Sequence, residues 1–334
     1  MKAIGFYEAG PIDREEALLD LELPDPVPHG RDLLVRVRAV SVNPVDTQMR
    51  SFAPSHEGHP NVLGYDAAGV VEAIGPNVEM FKVGDEVYYA GSIMRPGANA
   101  ELHTVDERIV GHKPRSLNWG EAAALPLTAI TSWELLFDKL RLARDQQGSI
   151  LVINGAGGAG SILIQLARKL TGLTVIATAS RPESAAWSRE MGAHHVIDHS
   201  KPLDEELAAI GFHEVNYVAS LGGSDANLSY FPKIIAPRGA LAKIDHSPSF
   251  DIGEFHTKSI TVALQDMFTR SMFQMAEMIE QHNILEEVSR LVDEGVLRST
   301  MTQDLGPINA ANLKAAHKVA ESRTAIGKTV LTGF

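Results

Sequence analysis

Residues 149–264 alternate short apolar runs with amphipathic helical stretches, and this alternation constrains the fold more than any other feature of the chain. Strands are predicted at 149–153, 174–179, 195–198, 215–220, 240–244 and 260–264. Helices are predicted between them at 161–170, 182–191, 204–210 and 225–235. Apolar strands joined by helical crossovers are typical of a parallel sheet that is covered on both faces. We therefore expect an α/β fold with a doubly wound, six-stranded parallel sheet.

Residues 2–113 show a different pattern, in which short extended runs are separated by turn residues. Strands are predicted at 32–42, 67–74, 85–90 and 100–105. Within residues 34–40, charged and apolar side chains alternate, which is typical of a strand with one solvent-exposed face. This region predicts an antiparallel, β-rich domain.

The segment after residue 265 is expected to return to the β-rich domain. It predicts a helical region up to residue 294, an extended run at 301–308, a helix at 310–321 and a strand at 327–331. A chain of 334 residues is longer than one hydrophobic core usually supports. We therefore predict two domains, one formed by residues 1–126 and 267–334 and the other by residues 127–266.

The composition excludes several classes of function. The chain contains no cysteine, which excludes disulfides, thiolate nucleophiles, iron–sulfur clusters and every cysteine-containing zinc site. Its net charge of −12 provides no basic footprint, so we expect no nucleic-acid or membrane partner. No run approaches the roughly 20 apolar residues of a membrane-spanning helix. The expected location is the cytoplasm.

A glycine-rich loop follows the first apolar strand of the α/β region and precedes its first helix. Gly155, Gly157 and Gly160 have the spacing G-x-G-x-x-G, and Gly158 and Ala159 lie within it. In this context the glycines permit a tight turn, close approach of the backbone to a pyrophosphate, and close packing of helix and strand. The helix N-terminus attracts the anion. We predict that these five residues bind a dinucleotide.

The end of the next predicted strand indicates which dinucleotide is preferred. NAD sites usually have a carboxylate there, which binds the ribose 2′-hydroxyl. This sequence instead has Ser180 and Arg181, and a hydroxyl and a guanidinium suit a 2′-phosphate. NADPH is therefore the predicted cofactor. The alternative for Arg181 is a solvated loop residue just before the helix-starting Pro182.

Motifs spread over residues 2–331 carry a family resemblance. They are VSVNPVD at 40–46, GYDAAGVVEAIG at 64–75, VGDEV at 83–87, LTAITSW at 127–133, the glycine loop, MGA at 191–193 with VID at 196–198, and GK at 327–328. The chain resembles the medium-chain dehydrogenase/reductase superfamily, and most closely its zinc-independent quinone oxidoreductase (zeta-crystallin-like) branch. It is also similar to a bacterial group labelled zinc-type alcohol dehydrogenase-like. The resemblance implies a Rossmann domain and a chaperonin-10-like, β-rich catalytic domain.

The chain differs from the zinc-binding members of this superfamily at the ligand positions. Those members have Cys where this chain has Asn43, His where it has Tyr65, and a further Cys or Asp ligand. The four-cysteine structural zinc loop is also absent. We therefore predict that the chain binds no zinc. The HEGH run at 56–59 lacks the H-E-x-x-H spacing, and we expect a loop there, with a place at the mouth of the active site as the alternative.

The resemblance implies catalytic roles for Asn43 and Tyr65 in a cleft between the domains. Asn43 would orient the nicotinamide or the substrate, and Tyr65 would donate a hydrogen bond to the developing oxyanion. The alternative for Asn43 is a turn residue before Pro44. The alternative for Tyr65 is a side chain that only fills space.

Further residues are implied by the same resemblance. Thr131 matches the family threonine beside the nicotinamide, and His199 lies where relatives approach the adenosine end of the cofactor, although a surface histidine is the alternative. Lys328 and Arg323 are candidates for cofactor or cleft contacts. The side chains expected to set substrate specificity are Phe52, Met94 and Phe268.

The expected reaction is hydride transfer from NADPH to a quinone or to an α,β-unsaturated ketone or aldehyde. Such acceptors spread the developing charge, so hydrogen-bond donors can replace the Lewis acid that a simple carbonyl needs. A metal-free reductase of simple carbonyls and a non-catalytic, NADPH-binding sensor or structural protein remain alternatives. Relatives commonly pair through the strand that corresponds to residues 260–264, so a homodimer or homotetramer is expected.

Overall fold

The computed structural model describes residues 1–54, 58–246 and 250–334, and these residues form two compact units. Unit 1 consists of Met1–Ile130 and Phe268–Phe334, and unit 2 of Thr131–Met267. The sequence predicts domain boundaries after residues 126 and 266, and the structure has them after residues 130 and 267. Of the HEGH run, His56 and Glu57 lie outside the described residues. Within those ranges, no helix is both long and apolar enough to cross a membrane.

The strands and helices are numbered here in chain order. The described strands are β1 (Lys2–Phe6), β2 (Leu19–Glu22), β3 (Asp32–Ser41), β4 (Asn61–Val62), β5 (Ala67–Ile74), β6 (Glu86–Tyr89), β7 (Leu102–Asp106), β8 (Val110–His112), β9 (Gln147–Ile153), β10 (Gly172–Thr178), β11 (His195–Ile197), β12 (Val215–Ser220), β13 (Ile235–Lys243), β14 (Thr261–Leu264), β15 (Met301–Asp304) and β16 (Lys328–Thr332). The described α-helices are α1 (Pro44–Phe52), α2 (Trp119–Ala123), α3 (Pro126–Trp133), α4 (Gly158–Leu170), α5 (Pro182–Glu190), α6 (Leu203–Ala209), α7 (Ser224–Asn227), α8 (Phe231–Ile234), α9 (Thr269–Met272), α10 (Glu280–Asp293) and α11 (Ala310–Glu321). Short 3-10 helices cover Glu107–Ile109, Gly253–Phe255 and Ala276–Ile279, and a π-helix covers Glu134–Lys139.

Unit 1 is built on a sheet with the order β15-β16-β3-β5-β6-β8, to which β7 adds by pairing with β3. Its strands pair antiparallel except β15 with β16, which confirms the predicted β-rich, antiparallel character. A smaller sheet has the order β2-β1-β4. Val330 of β16 pairs with Ser41 of β3. Continuing this antiparallel register beyond β3 brings Lys328 to the level of Asn43.

Unit 2 contains, within the described residues, a six-stranded sheet with the order β11-β10-β9-β12-β13-β14. Every pairing in it is parallel, which confirms the predicted doubly wound fold. The order reverses between β9 and β12, and in open α/β sheets ligands bind beyond the carboxyl ends of the strands at this switch point. Ile153 pairs with Ser220, so the loops after β9 and β12 leave the sheet at the same level.

The core of unit 2 explains why its strands are apolar throughout. Leu151, Ile176, Val218 and Leu241 are fully buried and belong to one cluster, which also contains Phe231. Central strands that are covered on both faces expose no alternate side chain to water, so the alternation typical of one-sided sheets is absent.

Three element predictions were wrong in part. The helix predicted at 225–235 is split into α7 and α8. The helical region predicted to continue to residue 294 is interrupted between α9 and α10, where Gln274 has a φ of 48°. A left-handed backbone ends an α-helix. The extended run predicted at 301–308 ends as a strand at Asp304.

Candidate active site

The three glycines of the glycine loop have different surroundings in unit 2. A Cβ atom added to Gly155 would lie 2.8 Å from Ala177 Cβ, and one added to Gly160 would lie 2.5 Å from Asn154 O. Both glycines are therefore needed for close packing of strand, loop and helix. At Gly157 the nearest atom, Asn154 O, would be 3.7 Å away, which is an ordinary van der Waals contact, so the protein itself does not crowd this position. The loop thus leaves room at the glycine where a pyrophosphate would approach the backbone.

The first turn of α4 adds electrostatic attraction for an anion. Gly157 is the N-cap residue and has no side chain to cap the helix, and no acidic residue lies in the first turn. The partial positive charge of a helix N-terminus remains available at such a turn. The hydroxyl of Ser132 donates to Ala159 O at 3.0 Å, which fixes this turn from the other side. Gly158 and Ala159 are the first two residues of α4, whereas the sequence predicts a helix that begins at residue 161 and places both residues in the loop before it.

Arg181 lies in the turn between β10 and α5, where the sequence places a 2′-phosphate contact. Its guanidinium lies 3.4 Å from the carboxylate of Glu183, and its side chain is 36% exposed. Ser180 precedes it and is exposed. Both side chains therefore reach solvent, but Glu183 supplies a negative charge beside the guanidinium that sequence reasoning did not consider.

His199 is linked to the glycine loop through one hydroxyl. Thr178 Oγ1 accepts a hydrogen bond from the backbone N–H of Asn154 at 3.0 Å and lies 2.9 Å from His199 Nδ1. If the hydroxyl proton goes to Nδ1, the imidazole is neutral and carries its proton on Nε2. Burial lowers the pKa of His199, which favours this neutral form. The Asn154 side chain donates to Gly222 O at 3.0 Å, which joins the loops after β9 and β12 at the switch point.

A buried polar cluster lies in unit 1, at the ends of β3 and β16. Its centre is Asp66, which is 0% exposed. Asp66 Oδ2 accepts hydrogen bonds from Ser41 Oγ at 2.9 Å and from Asn43 Nδ2 at 2.7 Å. Asp66 Oδ1 accepts from the backbone N–H of Leu127 at 2.7 Å. The Lys328 ammonium lies 3.2 Å from Asp66 Oδ2 and forms a buried ion pair.

A second buried carboxyl, Asp46, holds the backbone around this cluster. It accepts from the backbone N–H groups of Asn43 at 2.8 Å and Gly64 at 3.1 Å. Asn43 is the N-cap residue of α1 and Asp46 is its third residue, so the acidic side chain caps the start of the helix. Burial raises the pKa of Asp46 to about 7, against the opposing effects of the Asn43 N–H and the Lys328 charge.

Tyr65 lies next to the cluster and is 2% exposed. Its ring packs edge-on against Phe268, with ring centroids 5.5 Å apart. Burial, together with the nearby Asp46, raises the pKa of the phenol, so Tyr65 is protonated at neutral pH. Within the described parts of the chain, its hydroxyl has no hydrogen-bond partner. The hydroxyl therefore remains a free donor.

The structure brings some of the predicted residues together and leaves others apart. Asn43, Tyr65 and Lys328 lie in one cluster of unit 1, and Arg323 is exposed in the segment before β16. Thr131 is the first residue of unit 2 and is 4% exposed. Of the expected specificity residues, Phe52 and Met94 are exposed and Phe268 is buried.

Sequence reasoning did not select Asp46 and Asp66 as site residues. Both lie within the family motifs, and Asp46 stands three residues after Asn43, which is the spacing of a capping box. That spacing could have identified Asp46. Asp66 follows Tyr65 directly, but only the fold shows that it pairs with Lys328.

Comparisons with known proteins agree with this architecture. A family model described as the alcohol dehydrogenase GroES-like domain matches residues 29–117, and one described as zinc-binding dehydrogenase matches residues 158–281. A zinc-type alcohol dehydrogenase-like protein of Staphylococcus aureus is 38% identical over 99% of both chains. The 2-methylene-furan-3-one reductase of Solanum lycopersicum is 37% identical over 62% of this chain and 54% of its own length.

Two solved structures are similar over almost the whole chain. A protein from Rhizobium etli, provisionally described as a zinc-dependent alcohol dehydrogenase, has a TM-score of 0.97 and 54% identity, covering 100% of this chain and 98% of its own. The quinone oxidoreductase of Escherichia coli, solved with NADPH, has a TM-score of 0.84 and 25% identity, covering 99% and 100%. The chain therefore belongs to the medium-chain dehydrogenase/reductase superfamily and is an oxidoreductase of this type.

Proposed function

We propose that this protein is an NADPH-dependent oxidoreductase that reduces quinones or α,β-unsaturated carbonyl compounds without zinc. The observation that carries the proposal is the buried cluster of unit 1. There the Lys328 ammonium pairs with the Asp66 carboxylate and donates a hydrogen bond to the Asn43 carbonyl oxygen. The nearby Tyr65 hydroxyl has no hydrogen-bond partner among the described residues and remains a free donor. A site of this kind can stabilise a developing oxyanion with hydrogen bonds.

Unit 2 supplies the residues that fit the cofactor. Gly157 is not crowded by the protein at the start of α4, and Gly155 and Gly160 allow close packing of strand, loop and helix beside it. Ser180, Arg181 and His199 would contact the adenosine end, and Arg181 would pair with the 2′-phosphate. When bound, NADPH supplies the hydride. The E. coli quinone oxidoreductase, which has the same fold, was solved with NADPH.

The cluster of unit 1 does not fit a zinc ion. Zinc in proteins is held by Cys, His and carboxylate ligands. The side chains here are an amide, a phenol that burial keeps protonated, and a carboxylate that is paired with an ammonium. Among the described residues, no group of three or more His, Asp or Glu side chains is arranged to hold a metal ion. We therefore assign no step of the reaction to zinc, although zinc occurs in the descriptions of several relatives.

The chemistry of the acceptor follows from the donors that are present. Reduction of a simple carbonyl concentrates charge on one oxygen, whereas a quinone or an enone spreads it into a conjugated system. The Tyr65 hydroxyl and the Asn43 amide would donate hydrogen bonds to the oxygen that becomes negative. Thr131 would lie beside the nicotinamide, as in the family pattern.

An acceptor screen tests this proposal. Oxidation of NADPH is followed by the loss of the absorbance band of the reduced nicotinamide, with a benzoquinone, an enone and a saturated aldehyde as separate acceptors. We expect turnover with the first two and little with the third. Turnover with the saturated aldehyde alone would favour a metal-free carbonyl reductase. NADPH binding without any turnover would favour a sensor or structural protein.

We also propose that the protein forms a homodimer through β14. This strand is the last in the sheet order of unit 2, and an uncovered edge strand can pair with a second copy. Leu264 at its end is 70% exposed. Sedimentation should show a dimer for the wild type and a monomer for Leu264→Lys. A wild-type monomer would contradict the assignment.

A further inference from the structure

Lys328 is a buried lysine whose ammonium is surrounded by acceptors. Nζ donates to Val42 O at 2.9 Å and to Asn43 Oδ1 at 2.5 Å, and it lies 3.2 Å from Asp66 Oδ2. The side chain is 4% exposed. An ammonium has three protons, and these three acceptors match them. The ammonium therefore has no proton left for a contact with the cofactor, which is one of the two roles that the family resemblance implies for Lys328.

The same contacts determine how the Asn43 amide is oriented. Its Oδ1 accepts from Lys328, and one proton of its Nδ2 goes to Asp66 Oδ2. An amide nitrogen carries two protons. In the described part of the chain, no acceptor takes the second one. Asn43 can therefore offer a ligand an N–H group, while its carbonyl oxygen is occupied.

The reverse orientation of this amide is unfavourable. A flip would place the Asn43 NH2 group against the Lys328 ammonium, so that two donors would face each other. It would also place the carbonyl oxygen against the Asp66 carboxylate. Both hydrogen bonds involve a charged partner, and such bonds are about twice as strong as neutral ones. The ion pair thus holds the amide in one orientation.

We propose that Lys328 is a positioning residue, which orients Asn43 so that its N–H, and not its carbonyl, is offered to the acceptor oxygen. This inference rests on the proposed function, because it assigns Asn43 the role of a donor in that reaction. Lys328 itself touches neither the cofactor nor the acceptor. An acceptor with a carbonyl oxygen that gains negative charge is the chemical class that such a donor recognises.

A double-mutant cycle tests the inference. Lys328→Met keeps an unbranched side chain that is one atom shorter and removes the ammonium, and Asn43→Ala removes the donor. We expect kcat with the preferred quinone or enone to fall by about 10- to 100-fold in each single variant, as expected for one charge-assisted hydrogen bond. We expect no further fall in the double variant, because Lys328 acts through Asn43. The Kd for NADPH, measured by fluorescence titration, should stay within about twofold of the wild-type value.

Lys113→Met is the matched control. Lys113 is also a buried lysine of unit 1, with a side chain 5% exposed, but its ammonium donates to Pro114 O and Leu117 O and pairs with Glu86. This variant should lose thermal stability and keep kcat. If Lys328→Met does not fold, the cycle is run with Lys328→Arg, which retains a buried cation but displaces the donor. For Lys328→Arg alone we expect a smaller fall in kcat. Adding Lys328→Arg to Asn43→Ala should cause no further fall.

The outcomes separate this inference from the proposed function. A wild-type protein that reduces no quinone or enone overturns both. An active wild type with an unchanged kcat in Lys328→Met, or with losses that multiply in the double variant, overturns the positioning role alone. A large rise in the Kd for NADPH would show that Lys328 contacts the cofactor instead.

Discussion

Two buried carboxyl groups and one buried ammonium lie close together in unit 1. Asp46 and Asp66 are at most 1% exposed, and Lys328 is 4% exposed. If all three were ionised, the cluster would carry one uncompensated negative charge in the buried interior, which is strongly unfavourable. Asp66 contacts the ammonium directly, whereas Asp46 interacts with it at longer range. Asp46 is therefore the group that takes up a proton near neutral pH.

Asp46→Asn should change how stability depends on pH. Burial raises the pKa of Asp46 from 3.8 to about 7 in the folded protein. The folded state then binds a proton that the unfolded state lacks, so the contribution of Asp46 is fully present below pH 3.8 and is lost as the pH rises through about 7. Across this window, the free energy of unfolding of Asp46→Asn should rise relative to that of the wild type by at most about 1.4 kcal/mol per pH unit. Denaturant unfolding at several pH values measures the difference.

Asp13→Asn is the control for the pH series. The side chain of Asp13 is 83% exposed and pairs with Lys318 at the surface, so this variant removes a carboxylate without changing the buried cluster. A difference between Asp46→Asn and the wild type that is constant from pH 4 to pH 8 would show that Asp46 is ionised throughout.

Tyr65→Phe should lower kcat and leave the fold intact. The Tyr65 hydroxyl has no partner among the described residues, so its removal breaks no internal hydrogen bond. Loss of a donor to a developing oxyanion typically lowers kcat by about 100- to 1,000-fold. Tyr88→Phe is the matched control, because the buried Tyr88 hydroxyl donates to Leu285 O at 2.6 Å. It should reduce stability and keep kcat, and an unchanged kcat/KM in Tyr65→Phe would refute the donor role.

The glycines of the glycine loop are required for two different reasons, namely close packing within the protein and approach of a ligand to the backbone. Gly160 is crowded by the backbone oxygens of Asn154 and Gly155, whereas a Cβ atom at Gly157 would make only an ordinary contact with Asn154 O. The spacing of the glycines in the sequence predicts the loop. It cannot show which glycine is required by the protein itself and which by the ligand, because that depends on the packing of β9 against α4.

Gly157→Ala and Gly160→Ala should therefore have opposite effects. A methyl group at Gly157 fits the fold, since its φ of −69° is ordinary for alanine, but it would obstruct the pyrophosphate. We expect a near-normal Tm and NADPH binding weakened by at least about tenfold. A methyl group at Gly160 would lie 2.5 Å from Asn154 O, so Gly160→Ala should lower Tm markedly. Equal losses of Tm in both variants would contradict this division.

The turn between β10 and α5 should control the preference for NADPH. Arg181→Ala removes the cation that would meet the 2′-phosphate and should lower the ratio of kcat/KM with NADPH to that with NADH by about 10-fold or more. Glu183→Gln is the matched change on the other side of the ion pair. Because it removes a negative charge 3.4 Å from the guanidinium, it should raise the same ratio. An unchanged ratio in Arg181→Ala would show that this residue does not bind the 2′-phosphate.

The elements that the sequence predicted well are those with a uniform pattern. The run at 67–74 coincides with β5, that at 215–220 with β12, and that at 310–321 with α11. The break between α9 and α10 could not be predicted in the same way. It occurs at Gln274, where no glycine or proline marks the left-handed backbone, and the helical periodicity continues on both sides.

At the scale of the whole molecule, chain topology assembles residues that are far apart in sequence. Lys328 and Asn43 meet because β16 pairs antiparallel with β3, with Val330 opposite Ser41. The family motifs predicted that both residues matter. They did not show that the Lys328 ammonium contacts the Asn43 amide, because that contact depends on the register of two strands from opposite ends of the chain. The absence of cysteine, by contrast, can be interpreted from the sequence alone. A chain without cysteine cannot supply a thiolate ligand to a metal.

We propose that this protein transfers hydride from NADPH to a conjugated acceptor without zinc. It is tested most directly by measuring NADPH oxidation with a quinone while the metal content of the same sample is determined, before and after dialysis against a chelator. We expect turnover in both samples at the same rate, with zinc far below one ion per chain. Stoichiometric zinc, with activity that disappears when the metal is removed and returns when it is restored, would contradict it.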